Sequence, residues 1–503
     1  MRGSELRVCL RVIALSILCG AGLSVQASKA IENSSANNDV TAGQENAAEL
    51  IRAKNWSLTP SVSVGELYSD NIDLAPKGEE TDDFVFQFIP ALTAELNGRR
   101  LQAKLDYRME NYVYTNSSKK YDEPFHQYEA SGKAELWRER FFVDLASALT
   151  QRYIDTGRSI YFSNASITDN RTDQLTASIR PYWQQPLGDV AEALVRYEYG
   201  VVNFDKNNLT SDISDSRLND ITLSLSNLIK DQRLSWSLDV ERQTVDYNDD
   251  EFDDLEFKRT KLDLGYRITP SIGIIVAGGY EDNDLGRSFT SEEPKGAIWE
   301  VGALWQPNPR SKIEARYGNR FFGDTSQFAW TQELQRFTAQ IRYSKDIGGE
   351  TAYLLQGTQS LIDSPTTGIP IQRLSVTGNV FVRKRLDASV TFNTVKSELS
   401  LTASVEDRDF DQTSDSEQSR SLDSSWKWKI LPRSSINMGL QLGQYERRSG
   451  VGDEYLRASL ELERQLGPKT TGSIEYASTR LNSDEQLREY DENSLSLFII
   501  RTF

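Results

Sequence analysis

Asn493-Ser494-Leu495-Ser496-Leu497-Phe498-Ile499-Ile500-Arg501-Thr502-Phe503 is the end of the chain. Leu495, Leu497, Ile499 and Phe503 share one parity, so an extended strand turns all four to one face. Ser494, Ser496 and Thr502 fall on the other face, and Arg501 alone breaks the apolar row.

The same period of two runs back through the chain. Leu101, Ala103, Leu105, Tyr107 and Met109 alternate with Gln102, Lys104, Asp106, Arg108 and Glu110. Phe84, Phe86, Phe88, Leu92 and Leu96 form a second stripe, and Leu234, Trp236, Leu238 and Val240 a third. Leu456, Ala458, Leu460 and Leu462 turn away from Arg457, Glu461 and Glu463. Alternation of this kind suits a soluble sandwich as well as a transmembrane barrel.

The connections separate the two architectures. Short ones carry Gly or Pro for a sharp reversal: Asn97-Gly98, Gln185 to Gly188, Thr269 to Ser271, Gln306 to Pro309, Leu431 to Arg433 and Leu466 to Pro468. Long polar ones take turns with them: Ser69 to Asp82, Thr115 to Pro124, Ile154 to Asn170, Asp205 to Asp215, Asn248 to Glu256, Glu281 to Lys295, Ile362 to Pro370 and Asp411 to Ser419. Tight turns on one side and long loops on the other are the layout of a barrel crossing an outer membrane.

Aromatic placement supports this. Trp56, Trp137, Trp183, Trp236, Trp305, Trp426 and Trp428 fall near the short-turn ends, with Trp299 and Trp330 near the loop ends. Tyr68, Tyr112, Tyr114, Tyr153, Tyr247 and Tyr280 gather at the loop ends, as an interfacial belt would. The fold expected is an all-β, large antiparallel transmembrane barrel over 55–503, with about 22 strands in a range of roughly 20–24 and both termini periplasmic. Ile371 to Thr394 reads mainly as one long inward strand. Pro60 and Pro90 would lie nearly opposite each other and weaken the first hairpin.

The start of the chain agrees with an exported protein. Arg2, Arg7 and Arg11 precede an apolar run from Val12 to Val25, and Val25-Gln26-Ala27 fits a cleavage site. Residues 1–27 read as a signal peptide and 28–54 as a largely disordered periplasmic tail. Both cysteines, Cys9 and Cys19, fall in the leader, so the mature chain has no thiol chemistry. A net charge of −17 argues against nucleic acid as a partner. Some 27 residues are also too few for a folded plug, which argues against energised uptake.

Few residues suggest chemistry. His126 is the sole histidine and sits at a loop end near Asp122 and Glu123. It reads as a rim residue rather than a catalytic base, and it excludes a multi-histidine zinc site. Asp246 to Asp254 is the densest acidic run, but it lacks the glycine of an EF-hand loop. The expectation is no catalytic, metal or cofactor site. Lys104, Arg108, Lys133, Arg336, Arg342 and Arg457 are expected on the lumen face among Asp106, Glu110, Glu129, Glu135, Asp239, Glu461 and Glu463. Ile154 to Asn170 and Glu281 to Lys295 are expected to fold inward, and acidic outer loops to favour cations at the mouth.

Two resemblances extend this reading. The alternating end with its terminal Phe503 resembles the closing strand of bacterial outer-membrane barrels, which implies handling by the barrel-assembly machinery. Tyr68 to Pro76 followed by Glu79 to Pro90, then Val380 to Leu386, Leu399 to Phe410 and Trp426 to Ser435, resemble the outer-membrane proteins of PEP-CTERM/exosortase systems. That resemblance covers about residues 55–503. It implies an envelope role near exopolysaccharide synthesis and export, without implying catalytic residues. The function expected is a passive porin-like channel or envelope component in a Gram-negative outer membrane. Its partners would be lipid, lipopolysaccharide and exopolysaccharide or its export components. The alternative is a non-conducting structural or adhesive barrel whose acidic loops bind glycan, divalent ions or a protein.

Overall fold

The computed structural model describes residues 56–503, except 117–122, 155–159, 206–213, 228–232, 251, 287–292, 364–379, 411–415 and 448–449. The leader and tail readings over 1–54 lie outside the described residues. The strands, in chain order, begin with β1 (Trp56–Ser69), β2 (Asp83–Asn97), β3 (Leu101–Tyr114), β4 (Phe125–Trp137), β5 (Phe141–Arg152), β6 (Thr172–Leu187), β7 (Ala191–Phe204) and β8 (Ser216–Asn227). Next come β9 (Leu234–Tyr247), β10 (Leu255–Thr269), β11 (Ile272–Asp282), β12 (Lys295–Asn308), β13 (Ser311–Arg320), β14 (Gly323–Leu334) and β15 (Phe337–Gly349). A helix, α1 (Glu350–Asp363), precedes β16 (Val380–Asn393), β17 (Ser397–Asp409), β18 (Ser416–Leu431), β19 (Ser434–Glu446), β20 (Gly452–Gly467), β21 (Thr470–Ser483) and β22 (Tyr490–Thr502).

Each strand pairs antiparallel with its neighbours in sequence, and the 22-stranded sheet closes where β22 meets β1. The seam runs from Ser61 opposite Thr502 to Ser69 opposite Ser494, and the Phe503 amide donates to the Pro60 carbonyl at 3.0 Å. Closure leaves no open sheet edge, which is the condition for a sheet to cross lipid.

In-register partners share a face, so the pairing separates outside from inside. Leu495, Leu497 and Ile499 lie beside Tyr68, Glu66 and Val64 on the exterior. Phe84, Phe86, Leu262, Leu264, Ile274, Val276, Val301 and Leu460 continue that exposed apolar surface around the wall. A continuous belt of this size is unstable in water and stable in hydrocarbon. The protein is an outer-membrane β-barrel. Among the described residues no helix is long and apolar enough to cross a membrane, and the strands do the crossing.

The register corrects several expectations. β13 and β14 are joined by only Phe321-Phe322 on the outer side, so short and long connections do not alternate strictly. That tight turn puts Trp330 opposite Ile313 and Ile341 near the short-turn end, beside Trp305, and not at the loop end. The inward strand expected over Ile371 to Thr394 begins only at Val380; 371–379 lie outside the described residues. Pro60 and Pro90 pair with Leu92 and Val62 without a register shift. The weakness falls on the other side of Pro90, where Ile89-Pro90 leave a gap in the β2–β3 ladder. Proline has no N–H to give it.

At the seam, a Cβ on Gly65 would overlap the Phe498 ring and come 2.5 Å from the Leu497 carbonyl oxygen. Gly65→Val should therefore wedge the closure open, at a cost of about 1–3 kcal/mol. The measurement is the fraction of protein with heat-modifiable gel migration across a urea series. An unchanged midpoint would show that the seam tolerates the wedge.

Candidate functional site

The interior is the candidate site, and it is built from the wall inward. Alternation turns the polar residues of every strand toward the lumen. Lys104, Arg108, Lys133, Arg342 and Arg457 face it, as do Asp106, Glu110, Glu129, Glu135, Asp239, Glu461 and Glu463. Arg336 does not, because it lies exposed in the turn between β14 and β15. Ion pairs run along and across this wall, among them Arg180–Asp144 at 3.3 Å, Lys261–Glu300 at 2.8 Å and Arg316–Asp263 at 2.6 Å.

Burial is uneven along the barrel axis. Inward residues of the periplasmic half, such as Gln102 and Lys133, are exposed. Inward residues of the outer half, such as Gln87, Arg152, Glu281, Glu406 and Asp453, are buried. Something covers the outer half, and two segments of the chain do so.

The first cover is α1. Gly348-Gly349 ends β15, and the chain leaves the wall there at close quarters. A Cβ on Gly348 would come 3.0 Å from the Tyr353 hydroxyl, and one on Gly349 3.2 Å from Leu255 Cδ1. The helix then lies against the inner faces of β4 to β8. Thr351, Leu354, Leu355, Thr358, Gln359 and Leu361 are buried, which is helical spacing for a single docked face. Leu355 sits over Gly200 of β7, where a Cβ would overlap it. Thr358 and Thr176 share a hydrogen bond of 2.7 Å, Thr351 and Ser216 one of 2.9 Å, and Gln359 Nε2 donates to Ser178 Oγ.

The first residue of α1 carries the strongest tie. Glu350 forms an ion pair with Arg408 of β17 at 2.9 Å and meets Arg152 of β5 at 3.4 Å. β5 and β17 stand almost opposite each other in the ring, so one carboxylate draws the two walls together. Arg408 is fully buried over the Phe381 ring at 4.5 Å and also binds Glu406 at 2.8 Å, which in turn holds Arg383 and Arg385. Arg383 lies 4.3 Å over the Tyr353 ring, and burial pushes that phenol well above its usual range, so it stays neutral.

The second cover is the connection between β5 and β6. Ala165 and Ile167 pack with Leu67, Ile72, Val85 and Tyr114 on one side. Ile160 and Tyr161 pack with Leu74, Tyr455, Leu481 and Tyr490 on the other. The Tyr490 hydroxyl donates to the Ile160 carbonyl at 2.5 Å, and Arg171 stacks on Phe125 and Tyr161. The inward folding expected of Ile154 to Asn170 is therefore present over 160–170, while 155–159 lie outside the described residues. From Glu281 to Lys295, Leu285 joins the cluster around α1, while 287–292 lie outside the described residues. Tyr112, Tyr114, Tyr153 and Tyr247 pack under these covers rather than in a lipid belt; Tyr68 and Tyr280 do face outward.

Beneath the covers lies a cavity of about 1550 Å³. Small-ligand pockets run roughly 300–1,000 Å³, so this is a chamber rather than a seat for one small molecule. Arg180, Arg196, Arg342 and Arg457 line it with Glu129, Glu198, Asp220 and Glu241.

His126 is elsewhere. It pairs with Met109 on the lipid face of β4, and its Nδ1 is 2.8 Å from the Tyr107 hydroxyl. Among the described residues no three His, Cys, Asp or Glu side chains converge as a metal site. In the acidic run, Asp254 accepts from the Tyr247 amide at 3.0 Å, a loop-closing bond.

No family model matches this chain, and no curated protein matches it in sequence. Similar solved structures include the FrpB iron transporter of Neisseria meningitidis (F5-1 variant), with a TM-score of 0.47 at 9% identity over 90% of this chain and 82% of that one. A ferric enterobactin receptor (PfeA) mutant of Pseudomonas aeruginosa gives 0.46 at 10% identity, covering 89% and 80%. The siderophore receptor PirA of Acinetobacter baumannii gives 0.46 at 9%, covering 88% and 80%.

Two outcomes are expected. Glu350→Ala leaves two buried arginines without their carboxylate and should destabilise the docked helix by about 3–5 kcal/mol. Hydrogen exchange over 350–363 should rise while the strands stay protected; equal exchange would place the tie elsewhere. His126→Ala should leave transport unchanged, and loss of a hydrolytic activity in that variant would restore a catalytic role.

Proposed function

We propose that this protein is an outer-membrane channel for polar solutes that is shut at rest by its own loops, and that it serves an exopolysaccharide system. The observation that carries the reading is the wet, charge-lined chamber ending at the docked α1. A purely structural barrel has no need of a chamber of this volume with charges of both signs on its wall. α1 reaches the wall through hydroxyl pairs, a leucine-on-glycine contact, a small apolar cluster and one ion cluster, a set that can be released without unfolding the sheet. The link to exopolysaccharide rests on the sequence resemblance to PEP-CTERM/exosortase outer-membrane proteins.

The test is conductance in planar bilayers. The native protein should show rare, brief openings, and Glu350→Ala or deletion of 350–379 should give sustained steps. If proteolysis shows the helix released and current is still absent, the structural or adhesive barrel becomes the better reading.

A further inference from the structure

The chain is acidic as a whole, yet its periplasmic turns are not. Among the described residues, the turns between β2 and β3, β4 and β5, β8 and β9, β12 and β13, β14 and β15, β16 and β17, β18 and β19, and β20 and β21 each hold at least one arginine or lysine. Arg99, Arg100, Arg138, Arg140 and Arg336 are among ten such residues, against two acidic ones, Glu139 and Asp189. All ten are exposed, and among the described residues none is held in an ion pair. The negative charge of the chain therefore collects at the opposite end, in connections such as 70–82 and 248–254.

We infer that this basic ring receives a polyanionic glycan at the periplasmic mouth and passes it to the chamber. The inference rests on the channel reading above and names the class of its solute. Two observations favour a polymer in the lumen over lipid headgroups around the rim. First, Lys133, Arg267 and Lys429 face the lumen at the periplasmic ends of their strands, interleaved there with Glu95, Glu135, Glu398 and Glu463, while Arg464 and Arg501 face lipid. Second, Arg196 and Arg342 line the chamber with no carboxylate in ion-pair contact among the described residues. A cation held by a wall carboxylate has little left for a ligand, whereas an unpaired one can take a uronate or a phosphate. A ring of like charge around a low-dielectric opening also raises the local concentration of a polyanion. The acidic outer loops repel the same polymer, so attraction falls off from one mouth to the other.

The experiment uses the full chain and two probes, polygalacturonate as polyanion and dextran of matched length as neutral control. In detergent, labelled polygalacturonate should bind the native protein in a salt-sensitive manner, and dextran should not. The variant R99E/R100E/R138E/R336E/R433E, verified as folded by heat-modifiable migration, should bind about tenfold more weakly or worse. The corresponding glutamine variant serves if charge reversal blocks assembly. In bilayers carrying the Glu350→Ala channel, polygalacturonate should interrupt current from the periplasmic side at about tenfold lower concentration than from the outer side. Unchanged binding in both variants, equal block from both sides, or an effect confined to phosphatidylglycerol vesicles would overturn the inference; the last would make the ring a lipid contact. The binding measurement does not need current, so a channel that never conducts refutes the function above without deciding this point.

Discussion

Backbone hydrogen bonding in a medium without water governs this molecule. Lipid offers no partner to an N–H or a carbonyl, so a sheet that crosses it must return to its own first strand. The pairing of Ser61 to Ser69 with Ser494 to Thr502 meets that demand. Alternation, strand length and turn placement all follow from it. So does the character of the interior: with the apolar residues committed to lipid, the polar half of every strand is left facing inward. A wide ring of polar wall then has to be filled with water or with chain.

The filling divides the lumen into unlike halves. Above, α1 and the β5–β6 connection supply a core with the usual mix of leucine, tyrosine and paired charge. Below, the wall stays wet. The buried cluster of Glu350, Arg408, Arg152 and Glu406 sits at the outer ends of β5 and β17, at the root of the helix. Taking such charges out of water is costly, and a cluster like this gives little net stability compared with apolar packing. Its value is positional. It fixes where the helix starts, because any displacement strands several charges at once.

The wall was legible in the sequence because each membrane strand repeats one rule, apolar out and polar in. Leu101 to Glu110 shows it residue by residue. The rule fades where strands are short or leave the lipid. Gly323 to Leu334 carries Asp324, Ser326 and Gln332 on its outward face, so its alternation is weak and the Phe321-Phe322 turn before it went unrecognised. α1 was missed for a different reason. It begins immediately after β15, with no loop to announce it, and its composition is that of a polar strand. Two signals were present: the Gly348-Gly349 pair, and apolar residues at Leu354, Leu355 and Leu361, a spacing with a period near 3.6. The loop-end tyrosines illustrate a further limit. Position along a strand says how high a ring sits but not which side it faces, and parity placed Tyr112, Tyr114 and Tyr247 inside.

The partners of α1 also set an order of events during biogenesis. Its docking surface is made by β4 to β8, while its anchoring arginines come from β5 and β17. The helix leaves the chain between β15 and β16, so its second anchor is synthesised after it. No part of the chain up to Gly349 can seat it fully, and a sheet that has not yet curled round cannot bring Arg408 near Arg152. Full seating of α1 therefore waits until β17 has joined the wall. Complete docking of the helix is a late step, reached only when Glu350 can meet both arginines at once.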